Sequence, residues 1–365
     1  MQKRFDWVLL TAVVLLTVIG LVVLHSINFR DPSLAEGFNP SRQVVAALLG
    51  MAALIFASRV DYRLWFRLAP AWYFVSIGLL VALLMFGEVV FGATRGINLG
   101  IFDFQPTEVA KLGLVFLLAR IYTQHSKQLY RFRFVGYSIV VLGVLCGLVI
   151  LQPDLGSVAV LGFIWLLMTV VSKIQTSHIV MVLLLLVAAA PFALAEMEPY
   201  QQQRLETFFS PGEDSQGAGY NVEQSTIAVG SGQLFGRGLG GGTQSQLNFL
   251  PAQHTDFIFA VLSEKLGLLG AGLVVLLFGV VLTRGFYIAY NAKDTFGSLV
   301  ASGISAMFLI QVIITIGMNL GVAPVTGLPL PFISYGGTSL IVSLFSIGIL
   351  QSIAMNRKSL EFETG

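Results

Sequence analysis

The last part of the chain contains a run of 62 residues, from Thr295 to Asn356, without any Asp, Glu, Lys or Arg. One bilayer crossing takes about 20 apolar residues, so this run is long enough for two crossings and a connection. The connection contains the Pro- and Gly-rich segment 326–338, TGLPLPFISYGGT. Irregular backbone at membrane depth is tolerated where it packs in protein or lines a cavity. The run therefore predicts a polytopic membrane protein with a shaped, non-helical element that can hold a ligand.

The composition agrees with a membrane protein. Hydrophobic residues make up 56% of the chain and charged residues 11%, whereas a typical soluble domain has about 25% charged residues. The formal net charge of +2 gives no reason to expect nucleic acid as a partner. The apolar run behind the charged N-terminus is too long for a signal peptide and lacks a clear cleavage site, so we expect an uncleaved first helix.

Ten apolar segments predict an all-α, polytopic integral membrane protein with ten transmembrane helices in a single domain, 1–365. If the N-terminus lies inside, 14 of the 21 Lys and Arg residues fall in cytoplasmic segments and five in external ones. This positive-inside bias places both termini in the cytoplasm. The predicted spans lie near 7–27, 43–58, 68–87, 104–122, 134–152, 156–172, 174–195, 257–283, 295–317 and 337–354.

The connection between the seventh and eighth predicted helices, 196–256, is a large extracellular loop in this topology. It is 61 residues long and carries seven acidic residues against two basic ones. It includes a glycine-rich stretch, 230–242, which lacks the Gly-Lys-Ser/Thr of a phosphate-binding loop. Loops of this length in compact proteins are usually functional.

Glu108 and Lys111 begin the fourth predicted helix and share one of its faces, because they are three residues apart. Thr107 is expected to cap this helix, which would place Glu108 in the first turn, where a carboxylate suits the helix dipole. Charged pairs this close to the membrane often face a cavity. The alternative is a purely structural pair.

Asp154 lies in the sequence Gln152-Pro-Asp-Leu-Gly156, at an external turn between the fifth and sixth predicted helices. The sequence leaves two interpretations open. Asp154 contacts the substrate, or it belongs to ordinary turn chemistry, for which Pro-Asp-X-Gly is typical.

Asp256 lies where the long external loop meets the eighth predicted helix. Thr255 or Asp256 is expected to be the N-cap of that helix. A carboxylate at the mouth of a cavity can also serve as a general base, and this is the role that we predict for Asp256. A plain capping role is the alternative.

Glu264 lies about two helical turns beyond Asp256, with Lys265 beside it. Their depth predicts an internal polar lining, and an ion pair with another helix is the alternative. His254 has no second ligand at metal-binding spacing, which disfavours a histidine-ligated metal.

Four motifs occur in order along the chain. They are Gln105-Pro-Thr-Glu-Val-Ala-Lys111, Gln152-Pro-Asp-Leu-Gly156, Pro251-Ala-Gln-His-Thr-Asp-Phe-Ile-Phe259 and Gly327-Leu-Pro-Leu-Pro-Phe-Ile-Ser-Tyr-Gly-Gly337. With the predicted helices, from the first to the last, they resemble the SEDS family (shape, elongation, division and sporulation). Gln152-Pro-Asp and the short cytoplasmic ends are more similar to its RodA branch than to its FtsW branch. Gly96, Ala252-Gln253, Thr107 and Thr338 depart from the family pattern.

This resemblance implies a peptidoglycan glycosyltransferase in the bacterial cytoplasmic (inner) membrane, which serves cell elongation and rod shape. Its substrate would be lipid II, an undecaprenyl-pyrophosphate disaccharide-pentapeptide, and its partner a class B penicillin-binding protein with transpeptidase activity. Asp256 would deprotonate the 4-hydroxyl of the acceptor sugar, which attacks the anomeric carbon of the donor with inversion. These expectations make Asp256 the catalytic residue.

The leaving pyrophosphate requires positive charge, from side chains or from a divalent cation such as Mg²⁺ or Mn²⁺. Cationic candidates are spread over the fourth helix, the external segments and the eighth helix. The predicted substrate-binding residues are Arg95, Glu108, Lys111, Asp154, Arg204, Arg237, Glu264 and Lys265.

Three other functions compete with this reading. A lipid II flippase would need the same groove and cationic site, but no base acting on a hydroxyl. A scaffold that recruits a penicillin-binding protein would leave the acidic residues without a purpose. An ion-coupled transporter would show matching half-helices in two repeats, and no internal repeat is visible.

Overall fold

The computed structural model describes residues 5–27, 39–90, 93–98, 103–128, 132–172, 174–175, 177–178, 180–182, 184, 202, 218–246, 250 and 252–356. Within them the protein is mostly helical. The helices are α1 (Trp7–Ile27), α2 (Pro40–Arg59), α3 (Arg63–Phe86), α4 (Pro106–Gln124), α5 (Phe132–Ile150), α6 (Leu155–Val171), α7 (Ala218–Ser231), α8 (Thr243–Gln246), α9 (Ile258–Tyr290), α10 (Thr295–Asn319) and α11 (Gly337–Met355).

Nine of the ten predicted spans coincide with helices of the described part of the chain, and the seventh, 174–195, lies largely outside it. Seven of the described helices, α1–α3, α5 and α9–α11, are long and apolar enough to cross a membrane. Helix α6 is apolar but shorter, with 17 residues. The coarse prediction of a helical, polytopic membrane protein is therefore supported.

Two connections contain structure that the sequence did not predict. A small antiparallel sheet of three strands, β1 (Glu88–Val90), β2 (Ala93–Asn98) and β3 (Asp103–Phe104), links α3 to α4. The second half of the predicted loop 196–256 contains α7, which packs against α9 and α10. This half is therefore part of the packed protein.

Helices α10 and α11 form the centre of the bundle. In their most apolar windows 72% and 78% of the residues are buried, against 28% in α3. Helix α11 packs along α2, where a side chain on Gly348 would overlap the Leu54 carbonyl. Helix α10 contacts α4, α6 and α9. The charge-free run is thus explained by burial in protein on most sides, which leaves no place for an unpaired charge.

Because successive helices reverse direction, their connections collect at two ends of the bundle. The motif end carries the end of α1, the start of α2, the 88–104 sheet, the α5–α6 turn, the start of α9 and the α10–α11 connection. The terminal end carries Asp6, the α2–α3 turn, the α9–α10 connection and the end of α11.

Candidate functional site

The segment 326–338 is non-helical up to Gly336 and buried at its centre, as the sequence predicted. Leu328 and Ile333 are almost fully buried. Glycines let neighbouring elements approach its backbone. A Cβ on Gly20 of α1 would lie 2.7 Å from the Ile333 Cα, and one on Gly156 of α6 would lie 2.9 Å from the Thr326 carbonyl oxygen. This close packing fixes the segment against α1 and α6.

The start of α4 is joined to this segment through Thr338. The Thr338 hydroxyl donates to the Asp103 carbonyl at 2.9 Å and accepts from the Gln105 amide at 3.2 Å. The motif that contains Glu108 and Lys111 is therefore brought to the same end as segment 326–338.

The turn 252–257, which carries Asp256, is held by three successive backbone carbonyls. His254 O accepts from Tyr335 N at 2.9 Å, and Thr255 O accepts from the Ser334 hydroxyl at 2.8 Å. The Asp256 carbonyl accepts from Asn319 Nδ2 at 2.9 Å. All three donors lie in the stretch from the end of α10 to the start of α11, so the motif 251–259 also converges on segment 326–338.

The prediction that Thr255 or Asp256 caps the helix is wrong. Helix α9 begins at Ile258, and Phe257 is its N-cap without a side-chain hydrogen bond. The amides of Thr255 and Asp256 instead close a turn onto the Ala252 carbonyl at 3.1 Å. Asp256 therefore lies in a turn before the helix and is partly exposed.

Helix α2 also contributes to this end, through residues that the sequence analysis did not select. The Gln43 side chain donates to Ser334 O and accepts from Gly336 N, both at 3.1 Å. Arg42 lies near the Tyr335 side chain. The Tyr335 ring lies edge-on to His254 at 5.7 Å, and burial lowers the pKa of His254 below its ordinary value.

Glu108 and Lys111 form the predicted pair. Their side chains lie 2.7 Å apart and are almost fully buried. The predicted cap is wrong, because Pro106 begins the helix after Gln105, and Thr107 lies inside it with its hydroxyl buried and unpaired. Proline suits this first position because its fixed φ is helical and it needs no amide partner.

Asp154 is the N-cap of α6. Its carboxylate accepts from the Ser157 amide at 3.1 Å and from the Ser157 hydroxyl at 2.6 Å, and it is 3% exposed. These contacts support the structural alternative for Asp154.

Glu264 is fully buried, and its carboxylate accepts from the amides of Gln244 and Ser245 at 2.9 and 3.0 Å. No Lys, Arg or His forms an ion pair with it among the residues that the structure describes. Buried Lys265 donates to the Ser26 hydroxyl at 2.8 Å and to the Leu239 carbonyl at 3.3 Å. Glu264 therefore holds α8 to α9, and Lys265 holds the glycine-rich stretch to α9 and the end of α1.

The glycine-rich stretch also forms hydrogen bonds with backbone groups at a break in α9. Gly267 has φ 68° and ψ −170°, which frees backbone groups on both sides of the break. Leu268 N donates to Gln233 O at 2.8 Å, and Arg237 N donates to Glu264 O at 2.9 Å. Gly236, with φ 81°, crosses Gly267 so closely that a Cβ on either would overlap the other backbone. Two glycines in the left-handed half of φ space are required here.

An apolar cavity of about 720 Å³ opens beside Lys265, between α1, α2 and the glycine-rich stretch. Its walls include Ser26 and Leu239, the two hydrogen-bond partners of Lys265. Its other lining residues are Leu21, Val22, Leu24, His25, Pro40, Ser41, Val44 and Gly240. Arg42 follows Ser41 directly, so cationic side chains lie at or next to two parts of its wall.

Comparison with known proteins agrees with this arrangement. Residues 6–359 match the family described as "Cell cycle protein", FtsW/RodA/SpoVE. The chain belongs to this family. The "Probable peptidoglycan glycosyltransferase FtsW" of Trichlorobacter lovleyi is 37% identical over 97% of this chain and 94% of its own. The "Peptidoglycan glycosyltransferase MrdB" of Escherichia coli K12 is 36% identical over 98% and 96%.

A solved structure has the same fold as this family member. It was described under "Structural coordination of polymerization and crosslinking by a peptidoglycan synthase complex". The TM-score is 0.79 with 30% identity, and the match covers 96% of this chain and 98% of that one.

The remaining predicted site residues of this family member fall in three groups. Arg237 is exposed, and its side chain donates to Ser231 O at 2.9 Å. Arg95 lies on β2, but the position of its side chain lies outside the described part, and Arg204 lies outside the described residues altogether. Arg42 and Gln43 could have been identified from the sequence, because they are polar residues in the first turn of α2, which is otherwise largely apolar.

Proposed function

We propose that this chain, a peptidoglycan glycosyltransferase, polymerises lipid II at the outer face of the cytoplasmic membrane, with Asp256 as the general base. The names of relatives that match almost its whole length support the activity. The observation that carries the role of Asp256 is its setting. It is a partly exposed carboxylate on a turn whose three carbonyls are bonded to the buried core.

The reaction is a direct displacement at the donor sugar. Asp256 takes the proton of the acceptor 4-hydroxyl as the oxygen attacks the anomeric carbon, and the undecaprenyl pyrophosphate leaves. Attack from the side opposite the leaving group inverts an α-linked donor into a β-linked product. A positioned base contributes about 10²–10⁴-fold to such a rate.

The apolar cavity beside Lys265 is suited to part of a polyprenyl chain. Its lining is largely apolar, and a lipid tail gains about 0.8 kcal/mol for each buried CH₂ group. We assign Lys265 and Arg42 to the pyrophosphate, because both lie at or beside this cavity. Lys111 and Arg95 remain candidates for pyrophosphate binding. Arg237 is less suited to this role because its side chain is exposed and bonded to the Ser231 carbonyl. Asp154 is less suited to contact the substrate because its carboxylate caps α6.

A divalent cation, Mg²⁺ or Mn²⁺, is a weaker proposal. The described residues contain no group of three His, Cys, Asp or Glu side chains that could hold a metal ion. No step above therefore passes through a cation, and a comparison of rates with EDTA and with added Mg²⁺ tests the point.

The cellular role follows the RodA branch in our proposal: cell elongation and rod shape, with a class B penicillin-binding protein as partner. The solved synthase complex with the same fold supports such an assembly. The two relatives named FtsW and MrdB are similar to this chain at 37% and 36%, so identity does not separate division from elongation. We further propose ten spans with both termini in the cytoplasm.

The proposal is tested with purified protein, purified lipid II and a gel that resolves glycan polymer, with and without the transpeptidase. Asp256→Asn should lower the rate by at least about 100-fold, because the amide cannot accept the proton. Glu223→Gln is the matched control, since it neutralises an exposed carboxylate on α7 at the same end. It should stay within about twofold of the wild type.

Near-native polymerisation by the folded Asp256→Asn variant would show that Asp256 is not the general base. Absence of polymer from the wild type with its partner would favour the lipid II flippase, which forms no glycosidic bond.

A further inference from the structure

Asn319 is the last residue of α10 and is fully buried. Its side-chain amide both donates and accepts hydrogen bonds. Nδ2 donates to the Asp256 carbonyl at 2.9 Å and to the Thr315 carbonyl at 2.7 Å. Oδ1 accepts from the Ala260 amide at 2.9 Å. A single side chain thus holds both sides of the junction between the Asp256 turn and α9.

The bond to Ala260 replaces a missing cap. Ala260 is the third residue of α9, the position whose amide is usually bonded by the side chain of the N-cap residue. Phe257, the N-cap here, has no side chain able to accept a hydrogen bond. The Ala260 amide also lies 3.1 Å from the Phe257 carbonyl, so Asn319 shares it. The capping hydrogen bond of α9 therefore comes from another helix, α10.

We propose that Asn319 is a positioning residue that sets the direction of the Asp256 carboxylate by holding its peptide. The inference rests on the proposed role of Asp256 as a base. Rotation of this peptide would move the carboxylate relative to the acceptor hydroxyl, and misplacement by about 1 Å can cost about 10²-fold in rate. The described lining residues of the cavity do not include Asp256 or Phe257, so we expect KM not to depend on this peptide.

The test compares Asn319→Ala with Met307→Ala. Met307 is buried on the same helix, so its truncation destabilises α10 from a position 12 residues away from Asn319. For both variants we would measure the melting temperature, and kcat and KM for lipid II polymerisation per folded protein. Ser225→Ala is a second control, because it removes only the 2.9 Å bond from Ser225 to the Asn319 carbonyl.

Asn319→Ala should lower kcat by at least about tenfold and leave KM within about twofold, whereas both controls keep kcat near the wild-type value. If Asn319→Ala changes kcat no more than Met307→Ala does, the positioning role is wrong. A rise in KM at unchanged kcat also overturns it. If Asp256→Asn itself keeps near-native activity, the base role fails first, and the two failures are thereby distinguished.

Discussion

At both ends of the bundle carboxylates cap helices or form ion pairs, but at the motif end the partly exposed Asp256 lies on a turn whose carbonyls are bonded by side chains of distant segments. The Asp6 carboxylate accepts from Arg284 Nε at 2.9 Å and from the Leu9 amide at 3.1 Å. Asp294 accepts from the Tyr62 hydroxyl at 2.6 Å and from the Gly297 amide at 2.8 Å, as the N-cap of α10.

At the motif end Gln43, Asn319 and Ser334 hold carbonyls and amides, and Asp256 stays partly exposed. The difference indicates that the two ends have different roles. The described carboxylates at the terminal end stabilise the fold, whereas those at the motif end include the proposed base, Asp256. Changes at the terminal end should therefore alter mainly the amount of folded protein, and changes at Asp256 and Asn319 the rate per folded molecule.

The largest effect is expected at the buried pair of the motif end. Glu108→Ala or Lys111→Ala leaves an uncompensated charge in the protein interior and should cost about 3–5 kcal/mol of stability. Activity per folded protein should fall as well, if the pair faces the substrate. Thermal melts and polymerisation rates of the same preparations measure both quantities.

A double variant, Glu108→Gln with Lys111→Met, separates these two effects. Removal of both charges should restore most of the stability. If the double variant regains both stability and the polymerisation rate per folded protein, Glu108 and Lys111 have a structural role only.

The next effect concerns the crossing of Gly236 and Gly267. Alanine at either position meets both a positive φ and the other backbone, and should cost about 2–4 kcal/mol, measured as a loss of thermal stability. Gly238 is the matched control, because its φ of 83° is similar but a Cβ there meets no atom within 4 Å. Equal losses at Gly238 and Gly236 would mean that φ alone explains the requirement.

A smaller effect is expected from Asp6→Asn at the terminal end. The loss of a charge-assisted bond to Arg284 should cost about 1–3 kcal/mol, towards the lower value because the Arg284 side chain is 31% exposed. The rate of polymerisation per folded protein should stay within about twofold of the wild type. A large fall in that rate would contradict the proposed division between the ends.

The smallest effect is a pH dependence at the motif end. The pKa of His254 is lowered in the folded protein, so protonation favours the unfolded chain. The contribution of neutral His254 is present above the unfolded pKa of about 6.5 and is lost as pH falls below it. The melting temperature should fall less between pH 7.5 and 5.5 in His254→Gln than in the wild type. Parallel curves would contradict this.

Much of the bundle could be predicted from hydrophobic length alone, because each span must satisfy its own backbone bonds in lipid. The pair of Glu108 and Lys111 followed from helical spacing, and the shaped segment 326–338 from its lack of charge. These signals are local, so they can be recognised in the sequence without knowledge of how the helices pack.

The residues that the sequence did not single out act over long sequence distances. Gln43 and Asn319 are uncharged residues at the ends of apolar helices, and their partners are 293 and 63 residues away. The cap of α9 was assigned wrongly for the same reason, since a local rule cannot anticipate a cap supplied by α10. The sheet at 88–104 and helix α7 likewise depend on neighbours for their stability.

The burial of α10 and α11 has a consequence for biosynthesis. These helices are synthesised after the other described helices, yet α2, α4, α6 and α9 pack against them. A nascent chain that stops before Thr295 would lack the two helices against which α2, α4, α6 and α9 pack. The finished arrangement thus depends on α10 and α11, and a premature stop before Thr295 should be as damaging as an earlier one.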